Sequence, residues 1–282
     1  MAFPTVDQAF IKQYDADVFE AFQRKGSKML AACRLKDRLN GMSVFFQKVG
    51  KGVATQKSRH GIVPVMNQNH TPIECPVSDF YAGDWIDRLD ELKINIDERM
   101  VVANGGAWAL GRQVDQQIIN AVMLNLPAGQ LIANGGVGAT KGKFLNAIEL
   151  LNAVDVPDDG QRYGYLGPHQ WNEMLNLQEF ANALYTGPGY PWLDGQEVRR
   201  WMGVMWVRHS GLTYNTGTSV MSCLIWHKTA IGYARGMEVT TDITWHGDRA
   251  AHFVNSMMSG GSIRIEDTGA VQIDCLNTTT IS

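Results

Sequence analysis

Apolar residues at Ile11, Tyr14, Val18 and Phe22 are spaced three and four apart, with Lys12, Asp15, Asp17, Glu20, Arg24 and Lys25 between them. That spacing marks one face of a helix. It predicts a helix over residues 6–32, broken at Gly26 and preceded by an extended arm over residues 1–5. Residues 34–40 are polar and end in Asn40-Gly41, so they read as a connector closed by a turn. Residues 43–49 (Ser-Val-Phe-Phe-Gln-Lys-Val) read as a strand and residues 73–77 as its return. Between the two, residues 53–72 are polar and unpatterned. Two strands joined by so long an excursion describe a hairpin that projects from the body, and a long coreless loop in a compact domain is a functional feature.

The helical period returns at Ala103, Ala107, Leu110, Val114, Ile118 and Ala121, predicting a long helix over about residues 97–124. Asp97 and Glu98 suit the positive end of its dipole. Gly105, Gly106 and Gly111 lie inside the pattern and each costs up to about 1 kcal/mol relative to Ala; a bend or a tightly packed neighbouring chain would offset this. A glycine loop follows at residues 134–138, then a short helix over 143–154. A central block begins with a strand at 163–166, where Gly167-Pro168 opens an amphipathic helix from His169 to about Ala183. After it come a Gly/Pro loop at 187–192 and the return 194–210. Residues 218–234 are apolar and β-like. Near the C-terminus, Ile263 and Ile265 face Val271, Ile273 and Cys275 across Asp267-Thr268-Gly269, which reads as a hairpin turn.

Composition narrows the function classes. With 45% hydrophobic and 19% charged residues among 282, the chain is ordered and long enough for one large or two modest domains. A net charge of -3 argues against a free-standing nucleic-acid reader, which would be basic. No apolar run reaches the roughly 18 residues that span a bilayer, and the N-terminus lacks a basic segment followed by an apolar one, so neither membrane nor signal peptide is expected. Cys33, Cys75, Cys223 and Cys275 are far apart without ligand spacing and read as buried reduced thiols in a cytoplasmically made chain. The 29 glycines exceed average usage and are scattered, which implies tight turns and close backbone approaches.

Motifs of chemistry fail one after another. Gly142-Lys143 is followed by Phe144, and the position five before Gly142 is Val137, so the P-loop pattern is not met; Gly136-Val137-Gly138 lacks the third glycine of a dinucleotide loop. The seven histidines form no HExxH and no i, i+4 pair, and no serine sits in a GxSxG elbow. No catalytic, cofactor or metal residue is expected. Asp87, Asp90 and Glu91, interleaved with Arg88 and Lys93, read as a solvated face or an ion-pair surface between subunits. Lys48, Lys51, Lys57, Arg59 and His60 make the hairpin basic; nucleic acid or an acidic patch on a neighbouring subunit could receive it, and the negative overall charge favours the neighbour. Most of the eight tryptophans read as core, but Trp192 and Tyr190, in the Gly/Pro loop, read as contacts between chains.

The order of elements resembles the major capsid protein family of tailed bacteriophages, a fold shared with encapsulins. Three segments carry the resemblance. Leu110-Gly111-Arg112-Gln113-Val114-Asp115 and the following residues to Ala121 are similar to the end of the family's spine helix. Arg162-Tyr163-Gly164-Tyr165-Leu166-Gly167-Pro168-His169-Gln170-Trp171, with the return from Leu193-Asp194-Gly195, resembles the axial domain's strand, helix start and return. His227-Lys228-Thr229-Ala230-Ile231-Gly232 resembles the strand leading back to the peripheral domain.

The resemblance implies an α+β tailed-phage capsid fold. Residues 1–41 would form an N-arm and helix, 42–83 the extended loop, 84–142 and 236–282 the peripheral domain, and 143–235 the axial domain, with loop 187–192 near the capsomer axis. It further implies self-assembly as hexamers and pentamers into an icosahedral shell around double-stranded DNA, touched non-specifically. Portal, scaffolding and decoration proteins would be partners, and the virion, assembled in the host bacterial cytoplasm, the location. The chain lacks the family's long charged N-terminal extension and begins at Met1, so N-terminal cleavage is not expected and a separate scaffold, or none, is implied. Some relatives crosslink a loop lysine to a neighbour's asparagine, a role open to Lys48, Lys51 or Lys57. Two alternatives stand beside this reading: an encapsulin-type nanocompartment shell, and a soluble enzyme using the glycine loop between Asn134 and Lys143.

Overall fold

The computed structural model describes residues 26–37, 41–91, 98–177 and 198–278. The expected N-terminal arm and helix up to residue 25, and the loop at 187–192, lie outside them. The chain divides into two compact units. One comprises Phe80–Gly111 and Val239–Met258 with the chain up to Gly26; the other comprises Ser27–Asp79, Arg112–Glu238 and Ser259–Ser282.

The helix α1 is a single turn, Arg88–Glu91, and α2 runs Glu98–Met123, close to the expected bounds. Its glycines differ in what surrounds them. A Cβ on Gly106 would lie 2.8 Å from Ser256 Oγ and 3.2 Å from the Ala82 carbonyl, whereas one on Gly105 would meet nothing within 4 Å. In the same unit Trp85 packs on Phe253 and His246, with ring centroids 4.6 and 5.0 Å apart, and the Arg249 guanidinium lies 4.4 Å above the indole.

In the larger unit, strands β2 (Ser43–Val49) and β3 (His70–Pro76) pair antiparallel from Ser43↔Pro76 to Val49↔His70. Alternation sends Val44 and Phe46 inward and leaves Phe45 exposed. Val44, Phe46 and Cys75 form a small core with Ala234 and Ile265. Phe46 lies directly over Gly232, where a Cβ would stand 2.8 Å from its ring. The hairpin thus has an anchored root. Residues 51–69 carry no regular structure and are exposed except for a partly covered Gly61.

The same unit holds a seven-stranded sheet in the order β5 (Leu131–Ile132), β13 (Ala270–Leu276), β10 (Val220–His227), β6 (Arg162–Leu166), β8 (Val204–Arg208), β7 (Val198–Trp201), with β9 (Tyr214–Asn215) also on β10. All eight positions of β10 are buried, the signature of a strand covered on both faces. Helices α3 (Lys141–Ala153) and α4 (Pro168–Leu175) accompany this sheet's strands in the chain. A second sheet has the order β1 (Arg34–Asp37), β11 (Ile231–His246), β12 (Ala251–Arg264), β4 (Ser78–Asp87). No helix among the described residues is long and apolar enough to cross a membrane.

Four local expectations are corrected. Residues 34–37 are a strand and not a connector: β1 pairs parallel with β11 through its main chain while all four side chains stay exposed. Leu30–Ala32 is a 3-10 turn, not the tail of an α-helix. Helix α4 closes at Leu175, where the Asn176 N–H reaches back to the carbonyls of Asn172, Glu173 and Met174, instead of continuing toward residue 183. Asp267–Gly269 does not join a hairpin. It is a 3-10 turn that carries the chain from β12 in one sheet to β13 in the other, with the N–H groups of Ile265 and Glu266 donating to the Ala230 carbonyl.

Candidate assembly surface

The basic residues of the hairpin separate into two groups. At the root, Lys48 Nζ lies 2.8 Å from Glu266 Oε2 and Lys51 Nζ lies 3.4 Å from Asp155 Oδ2, both within this chain. Farther out, Lys57, Arg59 and His60 are exposed near a turn in which the Gly61 N–H donates to the Ser58 carbonyl. No Asp or Glu occurs from residue 50 to residue 72, so the arm is uniformly basic. Apolar side chains share it: Ile62 is 95% and Val65 79% exposed. Isolated exposed aliphatics are ordinary; a run of them on a segment without a core marks a contact surface.

Asp87 is exposed and accepts from the Leu89 N–H at 2.7 Å. Asp90 and Glu91 belong to α1, but their side chains, with Tyr190 and Trp192, lie outside the described residues.

The groups that could look chemical are engaged in structure. Lys143 is buried, and its ammonium donates to the carbonyls of Asn134, Val137 and Asp274 at 2.8, 2.8 and 2.7 Å. It ties the glycine loop to β13, and all three of its donors are spent, so Lys143 is not available to a phosphate. His227, Thr229 and Asp159 stand in hydroxyl–imidazole–carboxylate order, with His227 Nδ1 2.7 Å from Thr229 Oγ1 and Nε2 3.1 Å from Asp159 Oδ1. Yet the Thr229 N–H also donates to Nδ1, so the imidazole caps the 3-10 turn Lys228–Ala230. Among the described residues, no group of three or more His, Cys, Asp or Glu could hold a metal ion. All four cysteines are buried, and burial pushes the Cys75 thiol up to about 11.

One polar cluster escaped the sequence reading. Asp115 is fully buried on α2 and accepts from Ser27 Oγ and from the N–H groups of Lys28 (3.2 Å) and Met29 (3.1 Å). His209 Nε2 lies 2.9 Å away, and the Gly211 N–H donates to His209 Nδ1, which leaves Nε2 to carry the proton. Burial alone would raise the carboxyl pKa, but the hydrogen bonds from His209 and Ser27 prevail and hold it below the usual range. A signal existed: Gly111, Asp115, Ile118 and Val122 share the buried stripe of α2, and a carboxylate there requires partners.

Comparison with known proteins gives these features a setting. No curated protein matches the sequence. The structure is similar to the capsid of the cyanophage P-SCSP1u, at 19% identity over 96% of this chain and 94% of that chain, with a TM-score of 0.73. It is similar to the Cyanophage Pam1 capsid at 11% identity over 99% of each chain, TM-score 0.73, and to the capsid of Ralstonia phage GP4 at 13% over 98% of each, TM-score 0.71. Identities this low show a shared fold, the α+β capsid fold expected from the order of elements. The family described as phage capsid protein matches residues 6–277, and this chain belongs to it.

Proposed function

We propose that the chain is the repeating subunit of a tailed-phage shell, closing with copies of itself into hexamers and pentamers and then into an icosahedral capsid around double-stranded DNA. The observation that carries the reading is the hairpin arm: residues 51–69 are exposed, basic and partly apolar, and have no core of their own. Such a segment becomes stable by burying itself on another chain. Ring-forming contacts between unlike surfaces, repeated, close a shell, and many modest contacts per subunit hold it through multivalency.

On this reading residues 84–142 and 236–282 form the peripheral domain, 143–235 the axial domain and 42–83 the extended loop. Lys57, Arg59 and His60 meet acidic groups of a neighbour, for which Asp87, Asp90 and Glu91 are candidates, while Tyr190 and Trp192 lie near the capsomer axis. The role is structural and not enzymatic. Its place is the virion, assembled in the host bacterial cytoplasm with portal, scaffolding and decoration proteins as partners.

Expression of the full chain, followed by electron microscopy and mass spectrometry of what it forms, tests this. Icosahedral particles or tubes are expected, and deleting residues 53–69 should leave a folded subunit that forms neither. A discrete monomer, or normal particles from the deletion, would sink the reading. Native particles loaded with an enzyme instead of DNA would convert it to a nanocompartment shell.

A further inference from the structure

Helix α3 ends on a residue that two local rules disfavour. The Val156 N–H donates to the Leu151 carbonyl and the Asp155 N–H to the Asn152 carbonyl, both at 3.1 Å, the paired bonds of a Schellman closure. That closure sets Asp155 at φ +61°, a conformation glycine adopts without strain. A carboxylate there also adds negative charge at the negative end of the helix dipole. Neither choice helps α3, and such breaches mark positions retained for another purpose.

The carboxylate lies 3.4 Å from Lys51 Nζ. The hairpin ladder has ended one residue earlier, with the Gly50 N–H donating to the Asn69 carbonyl, so Lys51 is the first residue of the free arm. Beside it runs the second pair, Lys48 to Glu266. All four side chains line an open cavity of about 400 Å³ at the hairpin root, together with Val49, Gly50 and His227. The root is held by Phe46 and its apolar partners, but the segment above it meets the body across this cavity through charge.

We propose that Lys51–Asp155, set beside the fixed Lys48–Glu266 pair of the root, is an electrostatic latch that stows the hairpin arm against its own subunit. The Lys51 and Asp155 side chains are 81% and 87% exposed, so the outer pair is weak and screened by salt. That weakness suits a latch: carboxylates of an arriving neighbour can exchange for Asp155 without a large barrier. The latch itself requires only one subunit; its use as a gate on assembly rests on the shell reading above.

Because the four native cysteines are buried, spin labels can be placed on Ser58→Cys and Asn146→Cys, both exposed positions, and diluted with unlabelled chain so that distances stay within one molecule. At about 0.01 M salt, where the Debye length is about 30 Å, a narrow distance peak is expected, lost at about 1 M, where it is about 3 Å. Asp155→Asn keeps a residue tolerant of positive φ and removes only the charge. It should lose the narrow peak at low salt with its melting temperature unchanged or higher, and the swap Lys51→Asp with Asp155→Lys should restore the peak. A peak retained by Asp155→Asn, or a wild-type peak indifferent to salt, overturns the latch. Particle formation by the wild type is scored in the same samples, so a failure of the shell reading shows there and not in the distances.

Discussion

Asp115 shows how much of the larger unit rests on single side chains. Four donors converge on one buried carboxylate, and removing it leaves them unsatisfied, a situation that costs about 3–5 kcal/mol. Asp115→Ala should therefore lower stability by that order in chemical denaturation. The pH dependence follows from the direction of the shift. A carboxyl held below its unfolded pKa contributes stability that is present above the unfolded value, near 4, and lost as pH falls through the folded one. The stability gap between wild type and Asp115→Asn should be widest near neutral pH and shrink below about pH 4. A gap that stays constant into acid would mean the carboxylate charge is not what holds Ser27, Lys28, Met29 and His209 together. Lys143 teaches the complementary point: in sequence it stands among glycines as a phosphate ligand would, and in the structure it is a three-way clamp on carbonyls.

At the scale of elements, period and propensity carried most of the information. Helix α2, strands β2, β3 and β6 and the buried run of β10 were legible because each repeats a local pattern over several residues. Strand β1 was not, since Arg34–Asp37 pairs through its backbone and leaves no alternation in its side chains. The final turn was legible as a turn, but a turn does not specify which strands it joins: β12 pairs with β11 and β4, while β13 inserts between β5 and β10, both distant in sequence. The end of α2 depends on an equally distant residue. Arg264 donates to the carbonyls of Val122, Leu124 and Asn125 at 2.7, 2.7 and 2.9 Å while pairing with Asp267. It thereby satisfies carbonyls that the helix leaves open and sets a positive charge at the end of its dipole. The glycines of α2 give a sharper test. Gly105→Ala fills empty space and should stabilise by up to about 1 kcal/mol through helix propensity. Gly106→Ala carries the same propensity gain but drives a methyl into Ser256 and the Ala82 carbonyl, so it should destabilise. Thermal melts of the two variants should move in opposite directions; a shared direction would show that propensity, not close packing, governs this helix.

For the whole molecule, the order of elements along the chain was enough to place it among phage capsid proteins, although no chemical motif survived inspection. The candidate contact residues were less legible. Lys48 and Lys51 find partners within their own chain, and on the proposed reading the counterparts of Lys57, Arg59 and His60 would belong to other copies, which no single-chain pattern can display. The exposed arm also bears on the fate of the chain in a cell. Lys51, Lys57 and Arg59 lie in open backbone, which is what a protease needs. Limited trypsin digestion should cut unassembled subunits there first, and assembled particles should resist at the same three residues; equal rates in the two forms would show that assembly leaves the arm uncovered. On the proposed reading, a subunit that remains alone would keep its cleavage sites on display and be short-lived, while one that finds its place would hide them. The feature that seeks a neighbour would then also set a clock on copies that fail to find one.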